Sequence, residues 1–258
     1  MRNIIKKGYR IIFKVLGLVA ILVLIKLLLH ALNFEIISLN ALFTGIIGAN
    51  VFLLSFLLSG VLTDYKESEK IPGEIAAIMG TLADEYETSF RLKKEPILKD
   101  GLKECLDINE SIQGWMYKKL KTNELMRKIN KLYLSISQLE NVLAPNYIVR
   151  MKQEHHNLRK LLIRIHTIRE TDFISSGYLI ASTTTSLLLL GLLLIKIEPF
   201  MESLFFIGVI SYVMLFLIIL IRDLDNPFGF YENNSSEDVS IKPLEDSCAD
   251  IIRRLEEI

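Results

Sequence analysis

The sequence predicts an all-α membrane protein with four transmembrane helices in two hairpins and a cytosolic helical region between them. Three observations carry this reading. Hydrophobic residues make up 51% of the 258 residues while charged residues still make up 23%, so the apolar residues are gathered in blocks. Four blocks have the length that a bilayer demands. Lys and Arg cluster beside one set of block ends and avoid the other.

The first block covers residues 11–32, with Lys14 near its start and Lys26 and His30 near its end. About 20 residues cross ~30 Å of hydrocarbon, and cations near the ends are expected to snorkel toward headgroups. Arg2, Lys6, Lys7 and Arg10 also fit the n-region of a signal peptide. Such a peptide has an apolar stretch of roughly 7–15 residues and a small-residue cleavage site. This block is longer and no A-x-A follows it, so a retained span is the expectation. The second block, residues 36–62, follows the link Asn33-Phe34-Glu35 and is richer in small and polar residues. The third (about 173–195) and fourth (about 200–221) are joined by Lys196-Ile197-Glu198-Pro199. Both links are too short to cross a membrane, so each pair is a hairpin.

Bases crowd the N-terminus, the approach to the third span (Arg159, Lys160, Arg164, Arg169) and the end of the fourth (Arg222), whereas the two links hold only Lys196. The positive-inside rule then puts both termini and the central segment in the cytoplasm of a multi-pass cell-membrane protein. The expected organisation is residues 1–64 for the N-terminal cytosolic end and first hairpin, 65–172 for the cytosolic helical region, 173–221 for the second hairpin and 222–258 for an acidic cytosolic tail.

Within 65–172, apolar residues recur at helical spacing, as in Leu125, Ile129, Leu132, Ile136 and Leu139. Breaks are expected near Pro72-Gly73, Glu95-Pro96 and Ala144-Pro145. Leu158, Leu161, Leu162, Ile165 and Ile168 among basic residues suggest an amphipathic helix running into the third span. The tail holds ten acids against four bases, with a loop over 226–238 and a short helix from about Pro243.

The 30 basic and 30 acidic residues balance, which argues against nucleic acid as a partner. Cys105 and Cys248 are far apart without C-x-x-C company and read as reduced thiols. His155, His156 and His166 lack H-E-x-x-H spacing and read as solvated or headgroup-facing. With no phosphate loop, G-x-S-x-G or intramembrane acid pair, no catalytic residue is expected and the chain is not read as an enzyme. The acidic loop with Glu232, Glu237 and Asp238 offers oxygen ligands of the kind calcium takes, but without EF-hand spacing, so a solvated loop is favoured and no cofactor is assigned. Trp115 is either a headgroup anchor or a core aromatic.

The second span carries the most informative pattern. At about 100° per residue, Val51, Thr44, Ser55, Gly48 and Ser59 fall within about 80° of one another. Such a stripe suits close packing between helices or the wall of a water-filled pore, and both remain open here. Asn50 lies off the stripe and is read as an interhelical hydrogen bond.

Two segments resemble the bestrophin-like membrane proteins, chiefly their bacterial group. One follows the second span, from Gly60 through Tyr65 and Glu74 to Gly80. The other follows the fourth, Asp223-Leu-Asp225-Asn226-Pro227-Phe228-Gly229, and continues in 239–244. The resemblance implies a homo-oligomer, pentameric in bestrophins proper, that conducts anions along its second spans. It would make Val51, Ser55 and Ser59 pore-facing and place Asn226 to Gly229 in a cytosolic turn near a loop that binds calcium in some members. The sequence departs from the pattern in a pore face rich in Ser, Thr and Gly and in Lys66-Glu67-Ser68-Glu69 after the Tyr. The expected partners are membrane lipid, further copies of this chain and small ions. The competing expectation is a non-conducting scaffold or sensor whose cytosolic helices bind a partner.

Overall fold

The computed structural model describes residues 2–170, 175–230 and 238–258. In chain order the elements are α1 (Arg2–Ala31), β1 (Ile37–Ser38), α2 (Ala41–Lys93), α3 (Pro96–Met116), α4 (Thr122–Gln138), a 3-10 turn (Leu139–Asn141), α5 (Pro145–Glu170), α6 (Ser175–Leu194), β2 (Ile195–Lys196), α7 (Phe200–Leu224) and α8 (Lys242–Glu257). They form two compact units. Among the described residues, the first comprises 2–65 and 175–227, and the second 66–170, 228–230 and 238–258.

The first unit holds the membrane spans. Among the described residues, four helices are long and apolar enough to cross a bilayer: α1, α2, α6 and α7. α1 is followed by Asn33 at φ 57°, a backbone conformation that Asn tolerates better than most side chains. The core joins Leu54, Leu57 and Val61 of α2 to Ala181 and Leu188 of α6 and to Met214, Ile221 and Leu224 of α7. Gly191 brings α6 close to α2, because a Cβ there would lie 2.7 Å from the Phe43 ring. The two links are joined as well: β1 and β2 run parallel, with Ile37 opposite Ile195 and Ser38 opposite Lys196.

The second unit contains the charged part of α2 with α3, α4, α5 and α8. The break expected near Pro72-Gly73 is absent, and α2 runs for 53 residues through Pro72. Proline removes one backbone hydrogen bond and crowds the carbonyl four residues back, at a cost of about 3 kcal/mol. Ile71, Ile75, Met79 and Leu82 nevertheless keep an unbroken buried stripe across the site, and tertiary packing overrides the local penalty. The other two breaks are present. α2 ends before Lys94 at φ 57°, and α3 and α5 each begin on a proline, which suits the first helical turn. A further turn separates α3 from α4, with Lys118 at φ 56° and no Gly or Pro between 117 and 121 to announce it.

The expected stripe Leu125, Ile129, Leu132, Ile136 and Leu139 is buried and α4 packs on both α3 and α5. Leu158, Leu162 and Ile165 form the buried face of α5. Its expected continuation into α6 falls on 171–174, outside the described residues. α8 packs on α3 through Leu244, Cys248 and Ile251. Its Arg254 guanidinium pairs with Asp84, with Glu87 at 3.1 Å and with Asp250 at 2.6 Å.

Candidate functional site

The outward face of the α2 span is the candidate site. Burying Leu54, Leu57 and Val61 in the core turns the opposite side of the helix away from its own chain. Thr44, Gly48, Ser55 and Ser59 are exposed there and Val51 is half-buried at the edge. A Cβ added at Gly45 or Gly48 would meet nothing within 4 Å. The hydroxyls are satisfied locally: Ser55 donates to the Val51 carbonyl (2.8 Å), Thr63 to the Ser59 carbonyl (2.9 Å) and Thr44 to the Asn40 carbonyl (3.3 Å). Of the stripe, Val51 packs against the core shared with α6 and α7, and Thr44, Gly48, Ser55 and Ser59 are left exposed.

Phe52 and Phe56, 74% and 66% exposed, continue this face beside the hydroxyl edge. Sequence reasoning missed them, although their i, i+4 spacing opposite Leu54 and Leu57 carried the signal. Asn50 takes the expected interhelical role. It is 4% exposed, its Nδ2 donates to Thr185 Oγ1 (3.1 Å), and its Oδ1 accepts from Thr184 Oγ1 (2.6 Å).

At the far end of α1 the structure corrects the snorkelling expectation. Lys26 is fully buried, with its Nζ 2.6 Å from Glu35 Oε1, and it donates to the carbonyls of Leu193 (3.2 Å) and Ile195. His30 Nδ1 lies 2.8 Å from the other Glu35 oxygen, and its ring stacks on Phe200 at 3.7 Å. A span with a cation inside the hydrocarbon needs a partner, and the link between the first two spans supplies one. Burial opposes the charge on Glu35, but hydrogen bonds from Lys26 and His30 outweigh it and hold the carboxyl below its ordinary value.

The remaining expected site residues are dispersed. Tyr65 packs against the core of the first unit, whereas Glu74 is exposed on the later part of α2. Asp225 follows α7, its N–H on the Ile221 carbonyl at 3.1 Å. Asn226 is half-buried, and Pro227, Phe228 and Gly229 are buried. The Phe228 ring lies 6.4 Å from Phe230, which lies 5.7 Å from Tyr117. Asp238 is half-buried, while Glu232 and Glu237 lie outside the described residues. Among the described residues no three His, Cys, Asp or Glu side chains gather as a metal site.

Two other expectations resolve in the second unit. His155 is buried rather than solvated; its Nε2 donates to the Ile129 carbonyl at 2.8 Å, and burial lowers its pKa. Trp115 is a core aromatic, 2% exposed, donating to Thr122 Oγ1 at 3.0 Å beneath the Arg169 guanidinium.

No family model and no curated protein matches the chain. Solved structures do. A bacterial bestrophin homologue from Klebsiella pneumoniae aligns over 95% of this chain and 97% of its own, at 19% identity and a TM-score of 0.73. A point variant of that homologue aligns over 95% and 98%, at 18% identity and a TM-score of 0.75. Another structure, a membrane protein by its description, aligns over 98% and 97%, at 19% identity and a TM-score of 0.68. The likeness spans both units and agrees with the resemblance carried by residues 60–80 and 223–244.

Proposed function

From the fold shared with bestrophin homologues, we propose that this chain assembles with copies of itself in the cell membrane into an ion channel whose conduction path is lined by the outward face of α2. The observation that carries the proposal is the state of that face. Thr44, Gly48, Ser55 and Ser59 lie exposed on an otherwise apolar span with no partner span in their own chain. Small and hydroxyl-bearing side chains suit a lumen because they accept water where lipid offers nothing. Phe52 and Phe56 on the same face supply an apolar ring of the kind that gates by dewetting. Anion selectivity is part of the proposal, supported by the bases at the N-terminus and over 159–169, which the positive-inside rule places with both termini in the cytoplasm. Purified protein in planar bilayers is expected to pass current, and Ser55→Glu to shift the reversal potential toward cations. Silent bilayers containing a verified oligomer would overturn the proposal.

The exposed Phe52 and Phe56 also favour a second reading, in which α2 packs copies together around a dry axis and the second unit binds a protein. Under it, Ser55→Glu would break the oligomer instead of changing selectivity.

A further inference from the structure

The second unit contains a groove that neither conduction nor the fold requires. It measures about 420 Å³ and lies between α4 and α5, within the range of small-molecule sites. From α4 it takes Asn130, Tyr133 and Leu134, three positions on one helical face. From α5 it takes Lys152, His155, His156 and Arg159, likewise on one face.

None of these lining residues is acidic. The two helices together hold nine Lys and Arg against three Asp and Glu in a chain whose charges balance as a whole. Arg159 Nη1 donates to the Asn130 side-chain oxygen at 3.1 Å, one of the five N–H donors that a guanidinium carries. Lys152 Nζ stands 5.3 Å from the centre of the Tyr133 ring and 3.6 Å from Glu140. The Tyr133 ring is itself braced 5.3 Å from the buried His155 ring. Leu134, 62% exposed, extends the apolar floor.

We propose that this groove binds an organic phosphate, its phosphate held by Arg159 and Lys152 and its apolar body laid on Tyr133 and Leu134. A guanidinium and an ammonium two turns apart on one face of α5 offer the charge and the N–H donors that a phosphate takes. An aromatic floor adds affinity for a planar or apolar substituent. A soluble metabolite and a lipid headgroup present the same phosphate chemistry to these residues. The site is independent of conduction, so its test reads binding and no current.

Full-length protein in detergent is titrated calorimetrically with phenyl phosphate, inorganic phosphate and dihexanoyl phosphatidic acid. Phenyl phosphate is expected to bind about tenfold more tightly than inorganic phosphate. Arg159→Gln and Lys152→Gln should each weaken it about tenfold, and Tyr133→Leu should bring it level with inorganic phosphate. Asn130→Asp, at an exposed position, should abolish binding by placing a carboxylate on the guanidinium. Thermal melts matching the parent establish that each variant is folded. Tighter binding of the phosphatidic acid, lost in Arg159→Gln, supports the site with lipid as the source; preference for phenyl phosphate supports it with a soluble source. No heat from any of the three, or undiminished binding by folded Arg159→Gln and Asn130→Asp, overturns the proposal.

Discussion

The Lys26 ammonium, fully buried, stands 2.6 Å from the Glu35 carboxylate across the link that joins the first two spans. Removing one member of such a pair strands the other, at about 3–5 kcal/mol. Lys26→Met and Glu35→Gln are each expected to lower the thermal midpoint in detergent, and the double variant to lose less than the two single losses combined. Strict additivity in the cycle would show that the two groups do not interact.

The same pair sets an acid limb. Glu35 is held below its ordinary carboxyl value of 4.5 by Lys26 and His30 against the opposing effect of burial. A group depressed by folding contributes its full stability above its unfolded pKa and loses it as pH falls through the folded value. Stability followed from pH 7 to pH 3 should therefore decline at the acid end, less steeply in Glu35→Gln than in the parent.

Gly48→Leu separates protomer folding from the function of the outward face. A Cβ at this position meets nothing and leucine is the better helix former by about 1 kcal/mol, so the thermal midpoint should not fall. Conductance should fall sharply, with the oligomer intact by size-exclusion chromatography. Loss of the oligomer would instead favour packing between copies.

Gly101 and Tyr86 give opposite outcomes at one contact. An alanine Cβ at Gly101 would lie 2.1 Å from the Tyr86 ring, which is 1% exposed and has no room to swing. Gly101→Ala should cost at least about 1–3 kcal/mol. Among the described residues the buried Tyr86 hydroxyl has no hydrogen-bond partner, so Tyr86→Phe should be neutral or stabilising by about 1 kcal/mol in denaturant titrations.

The thiols should be silent in the native state. Burial pushes Cys105 far above its ordinary value, and Cys248 up to about 11 with help from the Glu110 charge. At pH 8 neither has appreciable thiolate, so Ellman's reagent should react slowly until denaturant is added. A fast native thiol would contradict their burial.

The four spans and the α4 stripe were legible because hydropathy and helical spacing act locally. Asn50 was legible for the same reason, as an amide off the polar stripe. Continuity through Pro72 was not, because it depends on the burial of Ile71 and Ile75 on either side of it. Lys26 misled in the same way: a cation near a span end reads as snorkelling until Glu35 and the carbonyls of Leu193 and Ile195 are brought to it. For the candidate site, the sequence marked the stripe but left open whether it was covered, and only the positions of the other spans distinguish Val51 at the core edge from the exposed Thr44, Gly48, Ser55 and Ser59. The neighbouring Phe52 and Phe56 were hidden among residues that a lipid-facing helix would also carry.

The carbonyls that receive Lys26 lie 167 and 169 residues further along the chain. At about 5–20 residues per second of synthesis, the first hairpin waits roughly ten to thirty seconds in the bilayer before those acceptors exist. Glu35, made almost at once after Lys26, gives the nascent hairpin its own counter-ion during that interval. Replacement of the pair is therefore expected to reduce the yield of inserted protein more than it reduces the stability of molecules that complete assembly.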